Sequence, residues 1–122
     1  MYLRHEIGRI GEISARNYLE KNNHIILTIN YRSYFGEIDI IARDKKSKEI
    51  VFVEVKTRSS SKFGEPIDAV NFKKMNKIYK TAQIYINKYN LEMEKIRFDV
   101  IEVFMKNMEI YRINHVKDVF FS

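Results

Sequence analysis

Three side chains near the middle of the chain are of types that do chemistry together: Asp39, Glu54 and Lys56. Clustered carboxylate oxygens suit a hard cation such as Mg²⁺ or Mn²⁺. A cation of that kind activates a water and stabilises charge on a phosphodiester. Lys56, two residues from Glu54, is placed to orient or deprotonate that water, or to stabilise the developing charge. Glu12 is a further carboxylate available from upstream. Other chemistries have less to work with. The chain has no cysteine, which excludes disulfides, thiolate metal sites and cysteine nucleophiles. There is no evident Ser/His pair and no Gly-rich phosphate loop. His5, His24 and His115 are scattered without metal-ligand spacing.

The segment that must carry two of these groups is Ile50-Val51-Phe52-Val53-Glu54-Val55-Lys56. Its β-branched residues predict a strand over 50–57. Side chains alternate along a strand, so Val51, Val53 and Val55 face one way and Phe52, Glu54 and Lys56 the other. Glu54 and Lys56 then lie roughly 6.5–7 Å apart along the strand. The bland alternative is an edge strand whose second face meets water. A preceding strand over 33–43 has Glu37, Asp39 and Ile41 on one side and Ile38, Ile40 and Ala42 on the other. Residues 44–48 form a polar turn, so the two strands make an antiparallel hairpin. With the turn centred near Lys46, Asp39 falls opposite Glu54, Ile41 opposite Phe52 and Glu37 opposite Lys56. Opposed residues share a face, with Cβ atoms roughly 4.5–5.5 Å apart. Two carboxylates about 5 Å apart repel by about 3 kcal/mol at an effective dielectric of ~20. A shared proton, Lys56 or a divalent cation must offset that. A slip of one residue would put Asp39 on the wrong face.

The remaining elements follow from periodicity. Leu3, Ile7, Ile10, Gly11, Ser14, Ala15, Tyr18 and Leu19 predict an amphipathic helix over about 3–21, with Glu12 at the edge of the stripe. Gly8 and Gly11 each cost a helix about 0.5–1 kcal/mol against Ala. Beside Glu12, such small residues let a ligand or another backbone approach; ordinary close helix–sheet packing is the competing explanation. A first strand is predicted over 25–32, a second helix over 68–89, and two further strands over 96–104 and 108–113. The second helix has an inner stripe of Asn71, Met75, Ile78, Tyr79, Ala82, Tyr85, Ile86 and Tyr89. Lys73, Lys77 and Lys80 line its outer side, with Lys74 nearby. Asp99 and Glu102 read as surface or pairing charges. Residues 58–66 form a basic loop suited to backbone phosphates, or an ordinary surface loop. The order is helix, three strands, helix, two strands: a single α/β domain with a mixed sheet.

Composition sets the frame. The chain has 122 residues, 45% hydrophobic and 31% charged, enough for one globular core. Lys plus Arg is 22 against 16 for Asp plus Glu, a net charge of +6. That excess is compatible with nucleic acid as a polyanionic partner, without being specific to one. There is no apolar signal core at the N-terminus and no membrane-length apolar run. A cytoplasmic protein with no membrane partner is the expectation.

At this point the motifs carry a resemblance. Asp39 followed by Glu54-Val55-Lys56 looks like the PD-(D/E)XK nuclease signature. The wider pattern includes Gly11-Glu12, Asn30-Tyr31-Arg32, Gly36-Glu37-Ile38-Asp39, Val51 through Arg58, Phe63-Gly64, Lys73-Lys74, Arg97-Phe98-Asp99-Val100 and His115. In order, and over nearly the whole chain, it resembles the YraN-type endonuclease family. The resemblance implies a restriction-endonuclease-like αβββαβ core with a mixed central sheet flanked by helices, similar to archaeal Holliday-junction resolvases. By matching position, Asp39 and Glu54 would be metal ligands and Lys56 the catalytic lysine. Glu12 would correspond to the first-helix carboxylate that joins the metal site, with Mg²⁺ or Mn²⁺ as cofactor. Arg32, Arg58, Lys62, Lys73 and Lys77 are the candidate nucleic-acid contacts. DNA is the expected partner, and branched or damaged DNA a candidate substrate. A homodimer is a further expectation, because symmetric resolution of a four-way junction needs two sites. Two other functions stay open: a nucleic-acid-binding module of nuclease ancestry that does not cut, and an interaction domain whose charges only fix strand register.

Overall fold

The computed structural model describes residues 4–58 and 72–119. Lys62 and the rest of the basic loop from 59 to 66, the expected helix start at 68–71, Leu3 and residues 120–122 lie outside the described residues. The elements are α1 (Arg4–Lys21), β1 (His24–Ser33), β2 (Gly36–Asp44), β3 (Ile50–Arg58), α2 (Phe72–Lys88), β4 (Ile96–Lys106) and β5 (Glu109–Val116). The strands form one mixed sheet in the order β1-β2-β3-β4-β5. β3 and β4 run parallel, and the other neighbours are antiparallel. A parallel pair needs a crossover, which α2 supplies. This is the restriction-endonuclease-like αβββαβ order with β5 added at one edge.

Each helix covers one face of the sheet. Ala15 and Leu19 of α1 pack on Ile40, Ala42, Val51, Val53, Ile101 and Val103. Ile78, Ala82, Tyr85 and Ile86 of α2 pack on Ile38, Ile41, Ile50, Phe52 and Phe98. Each fully buried side chain of this size contributes about 1.5–3 kcal/mol. The expected α2 stripe is correct at its centre and frays at its margins. Tyr79 and Tyr89 are 38% and 50% exposed, while Thr81 is fully buried and bonded through Oγ1 to Ser33 Oγ at 2.7 Å.

The β2–β3 register is the one the hairpin turn dictates: Ile41 lies opposite Phe52, and the last ladder pair is Ile40 with Val53. Asp44 holds the turn, its Oδ1 accepting from the backbone N–H groups of Lys46 and Ser47 at 2.9 and 3.1 Å. The alternation along β2 does not run as expected. Ile38 packs with Ile41 on the α2 side, not with Ile40 on the α1 side. The physical reason is local. Asn30 interrupts β1 at a φ of 50°, between the Ile29–Ile40 and Tyr31–Ile38 pairs, and β2 leaves the β3 ladder after Ile40. Asn tolerates that left-handed conformation better than most residues.

A second buried polar cluster ties the other end of the sheet. Arg97 donates through Nε and Nη2 to both oxygens of Asp99 at 2.9 Å, and through Nη1 to Asp44 and Glu49 at 3.0 Å. His115 donates through Nε2 to Asp99 Oδ2 at 2.7 Å, and its Nδ1 lies 3.2 Å from the Tyr18 hydroxyl. Asp99, and Glu102 with its partners Arg58 and Asn114, are pairing charges, 1% and 4% exposed, and not surface ones.

Candidate metal and phosphodiester site

The site begins where β2 and β3 part. Beyond Ile40 and Val53 no ladder pair joins them, and the Val55 backbone N–H donates to Asp39 Oδ2 at 2.7 Å. Asp39 thus fills the gap with its own carboxylate. Burial, the Glu54 charge and, more weakly, the charges of Glu12 and Glu37 push its pKa up to about 8, against the opposing Val55 hydrogen bond. A half-buried carboxylate in that environment favours a proton or a cation.

α1 delivers the second carboxylate. Gly11 lets the helix lie against β3, since a Cβ there would collide with the Thr57 side chain. The helix–sheet packing explanation therefore holds for Gly11. Glu12, the next residue, then reaches the gap. Glu12, Glu37 and Asp39 can each offer one carboxylate oxygen such that all three lie within 4.8 Å of one another. The Glu12 pKa is raised, first by burial and then by Glu37, with Arg16 opposing and Glu54 adding. Glu37 has no ladder pairing with Lys56; it sits opposite Arg32 of β1, whose Nε donates to its Oε1 at 2.8 Å.

Glu54 and Lys56 sit alongside. Lys74 Nζ lies 2.5 Å from Glu54 Oε2, and Lys56 Nζ lies 3.9 Å from the same oxygen. Burial and the neighbouring Lys74 lower the Lys56 pKa, with Glu54 opposing. For Lys74, burial disfavours the charge, but the hydrogen bonds to Glu54 and Lys56 and the charges of Glu54 and Asp39 together outweigh it and the pKa rises. The two lysines are therefore unequal: Lys74 holds its proton and Lys56 releases its own more readily.

The structure brings Glu12, Asp39, Glu54 and Lys56 together and places Glu37 and Lys74 among them. Carboxylate oxygens of Glu12 and Asp39 group with one of Glu37, while Glu54 is engaged by Lys74 and Lys56. Glu37 and Lys74 are additions to the residues expected from the sequence. A signal existed for Lys74: it lies four residues before Ile78 and eight before Ala82, in line with the buried stripe of α2. A lysine in an apolar row has something to pair with. For Glu37 the alternation of β2 already implies the Asp39 side, but its approach to Glu12 of α1 comes from the fold alone.

The candidate nucleic-acid contacts divide. Lys73 and Lys77 are exposed on α2. The Arg32 side chain is 80% exposed while bonded to Glu37. Arg58 is turned inward, its Nη2 3.3 Å from the buried Glu102. Its guanidinium supports the sheet at this place.

Residues 11–103 match the profile of Uncharacterised protein family UPF0102. A UPF0102 protein of Clostridium botulinum (strain 657 / Type Ba4) is 47% identical over 121 residues, covering 98% of this chain and 97% of the relative. One of Clostridium beijerinckii is 45% identical over 117 residues, covering 94% and 93%. A third, of Clostridium botulinum (strain Loch Maree / Type A3), is 46% identical over 121 residues, covering 98% and 97%. With the fold, the motifs and these similarities in agreement, the chain belongs to UPF0102, the YraN-type family.

Proposed function

We propose that this protein is a divalent-metal-dependent endonuclease that hydrolyses phosphodiester bonds in DNA. The observation that carries it is the convergence of the Glu12, Glu37 and Asp39 carboxylates beside the Glu54–Lys56 pair. The donor set fits Mg²⁺ or Mn²⁺, being all carboxylate oxygen. The raised pKa values of Glu12 and Asp39 fit it too, because burial first and neighbouring carboxylates second disfavour their charge, which a cation would offset. Glu12, Glu37 and Asp39 would hold the ion, and Glu54 borders it. Bound there, the ion supplies an activated water and charge stabilisation on the phosphodiester.

The chain's own residues supply the rest. Lys56 Nζ, with its ammonium form disfavoured by burial and by Lys74, exchanges a proton near the reacting phosphate. Lys74 keeps its charge, fixes the Glu54 carboxylate and presents a cation to the substrate backbone. The Val55 N–H orients Asp39. The exposed Lys73 and Lys77 and the net charge of +6 draw in a polyanion from solution. DNA and a second copy of the chain are the partners this function implies.

The test is cleavage of labelled duplex, flap and four-way-junction DNA in Mg²⁺ or Mn²⁺, comparing wild type with Lys56→Ala and Asp39→Asn. Cutting that disappears in both variants while DNA binding persists is the expected result. No cutting of any DNA, with equal binding by all three proteins, would leave the non-cutting nucleic-acid-binding module instead.

A further inference from the structure

A cavity of about 510 Å³ opens beside the carboxylates, walled by α1 and by β1 and β2. Its size lies within the range of about 300–1,000 Å³ typical of small-molecule sites. Glu12 and Asp39 line it on one side. Ile13, Ile29 and Ile40 give it an apolar wall, and the first two keep 37% and 41% of their surface exposed. Arg9 and Arg16, on the same α1 face as Glu12, add cations to its rim. Acid, apolar wall and guanidinium together do not match a bare ion. They match a ligand with an anionic part and a flat, largely apolar part.

Gly8 supplies an independent observation. It stands inside α1, where glycine costs about 0.5–1 kcal/mol against alanine. Its backbone needs no positive φ, and beyond its own stretch of helix a Cβ on it would meet no described atom within 4 Å. Gly11, three residues on, is required by Thr57. Nothing among the described residues requires Gly8. It lines the cavity, and an alanine methyl there would project into that space.

We propose that this cavity receives one unpaired nucleotide of the strand whose phosphate lies at the Glu12–Asp39 carboxylates. The inference rests on the nuclease function and deepens it by naming the substrate class. Sugar and base would lie on Ile13, Ile29 and Ile40, against the bare backbone at Gly8. Arg9 and Arg16 would take the flanking phosphates. A base inside a duplex stack cannot enter such a cavity; it must be extruded or already unpaired, and unpairing costs a few kcal/mol. Flaps, bulges and single-stranded ends are therefore the favoured substrates, and uninterrupted duplex the disfavoured one.

The experiment is binding, read by fluorescence anisotropy with Ca²⁺ as the oxygen-ligand cation. The probes are a paired duplex, the same duplex with one bulged thymidine, and a single strand. The proteins are wild type, Gly8→Leu, Gly8→Ala and Ile29→Ser. Wild type should bind the bulged duplex and the single strand about tenfold more tightly than the paired duplex, or about 1.4 kcal/mol. Gly8→Leu and Ile29→Ser should each remove most of that preference. Gly8→Ala should raise the melting temperature yet weaken the preference, an outcome a purely structural glycine would not give. If Gly8→Leu does not fold, Ile29→Ser decides. Equal affinity of wild type for bulged and paired duplex overturns the inference, as does an unchanged preference in the variants. Saturable binding of thymidine monophosphate without any bulge preference also overturns it, in favour of a free nucleotide. Because the readout is binding, absence of cleavage would count against the nuclease function alone. Cleavage with no preference for unpaired nucleotides would count against this pocket alone.

Discussion

Asp39 Oδ2 accepts the Val55 backbone N–H at 2.7 Å, so a carboxylate stands where the next rung of the β2–β3 ladder would be. The same side chain thereby serves fold and site. Asp39→Ala should orphan the Val55 N–H and cost about 1–3 kcal/mol from that cause. Asp39→Asn keeps an acceptor and should be less destabilised, while losing the charge. Urea unfolding of the two variants separates them. Equal destabilisation would show that the hydrogen bond carries no stability.

Mg²⁺ or Mn²⁺ should stabilise the folded protein, because the Glu12–Glu37–Asp39 arrangement does not persist in the unfolded chain. At a metal concentration of ~100 Kd the gain is about 2.7 kcal/mol. Thermal melts with each ion and with EDTA measure it. Glu12→Gln and Asp39→Asn should each shrink the difference. A melting temperature indifferent to both ions would argue that the three carboxylates hold no cation.

Lys74 Nζ lies 2.5 Å from Glu54 Oε2, so on the proposed function it would compete for Glu54 with an ion bound beside it. The Lys74→Ala variant should therefore bind divalent metal more tightly than wild type. Partly exposed ion pairs are worth up to about 1 kcal/mol, so the gain should be no more than about fivefold. The same variant should bind DNA more weakly, having lost a cation beside the site. Calorimetric titration with Mn²⁺ reads the first effect, and weaker metal binding in the variant would contradict it.

The Arg97 cluster should set the acid limit of stability. Burial alone would raise the pKa of Asp99, but the His115 and Arg97 hydrogen bonds outweigh it and hold the carboxyl below its ordinary 3.8. Asp44 is likewise pulled well below the ordinary range. Burial again opposes, and the Ser47 N–H, Arg97 and the Lys46 N–H prevail. The unfolded chain thus takes up these protons before the folded one does. The stabilisation is fully present above the ordinary carboxylate range and is lost as pH falls from about 4 through the lower folded values. Arg97→Met should cost about 3–5 kcal/mol at neutral pH, since it leaves buried carboxylates without their partner. It should also flatten the acid dependence. Urea midpoints between neutral pH and pH ~3 test both, and parallel curves for the two proteins would refute the assignment.

Much of this arrangement is legible in the chain itself. Periodicity locates both helices and all five strands, because burial of one face imposes a repeat on the sequence. The polar turn after Asp44 fixes the hairpin register, which places Ile41 opposite Phe52 and carries Asp39 toward Glu54. The types and spacing of Asp39, Glu54 and Lys56 suggest the chemistry proposed above. What periodicity cannot convey is where a strand stops being regular. Asn30 at positive φ and the parting of β2 from β3 turn Ile38 to the α2 side, and only the fold brings Glu12 of α1 to Glu37 and Asp39.

Pairing among charges is likewise a tertiary matter. Charged residues show no obligatory repeat, and their partners come from other elements. Only the fold decides that Lys74 and not Lys73 meets Glu54, that Arg58 turns to Glu102, and that Arg97 gathers Asp44, Glu49 and Asp99. The two glycines of α1 make the same distinction. The sequence shows two glycines paying a helix cost beside Glu12, and the structure alone shows that Gly11 makes room for Thr57 while Gly8 faces a cavity. Local repeats record which side of an element is buried; what waits on that side depends on contacts distant in sequence, which exist only once the chain has folded.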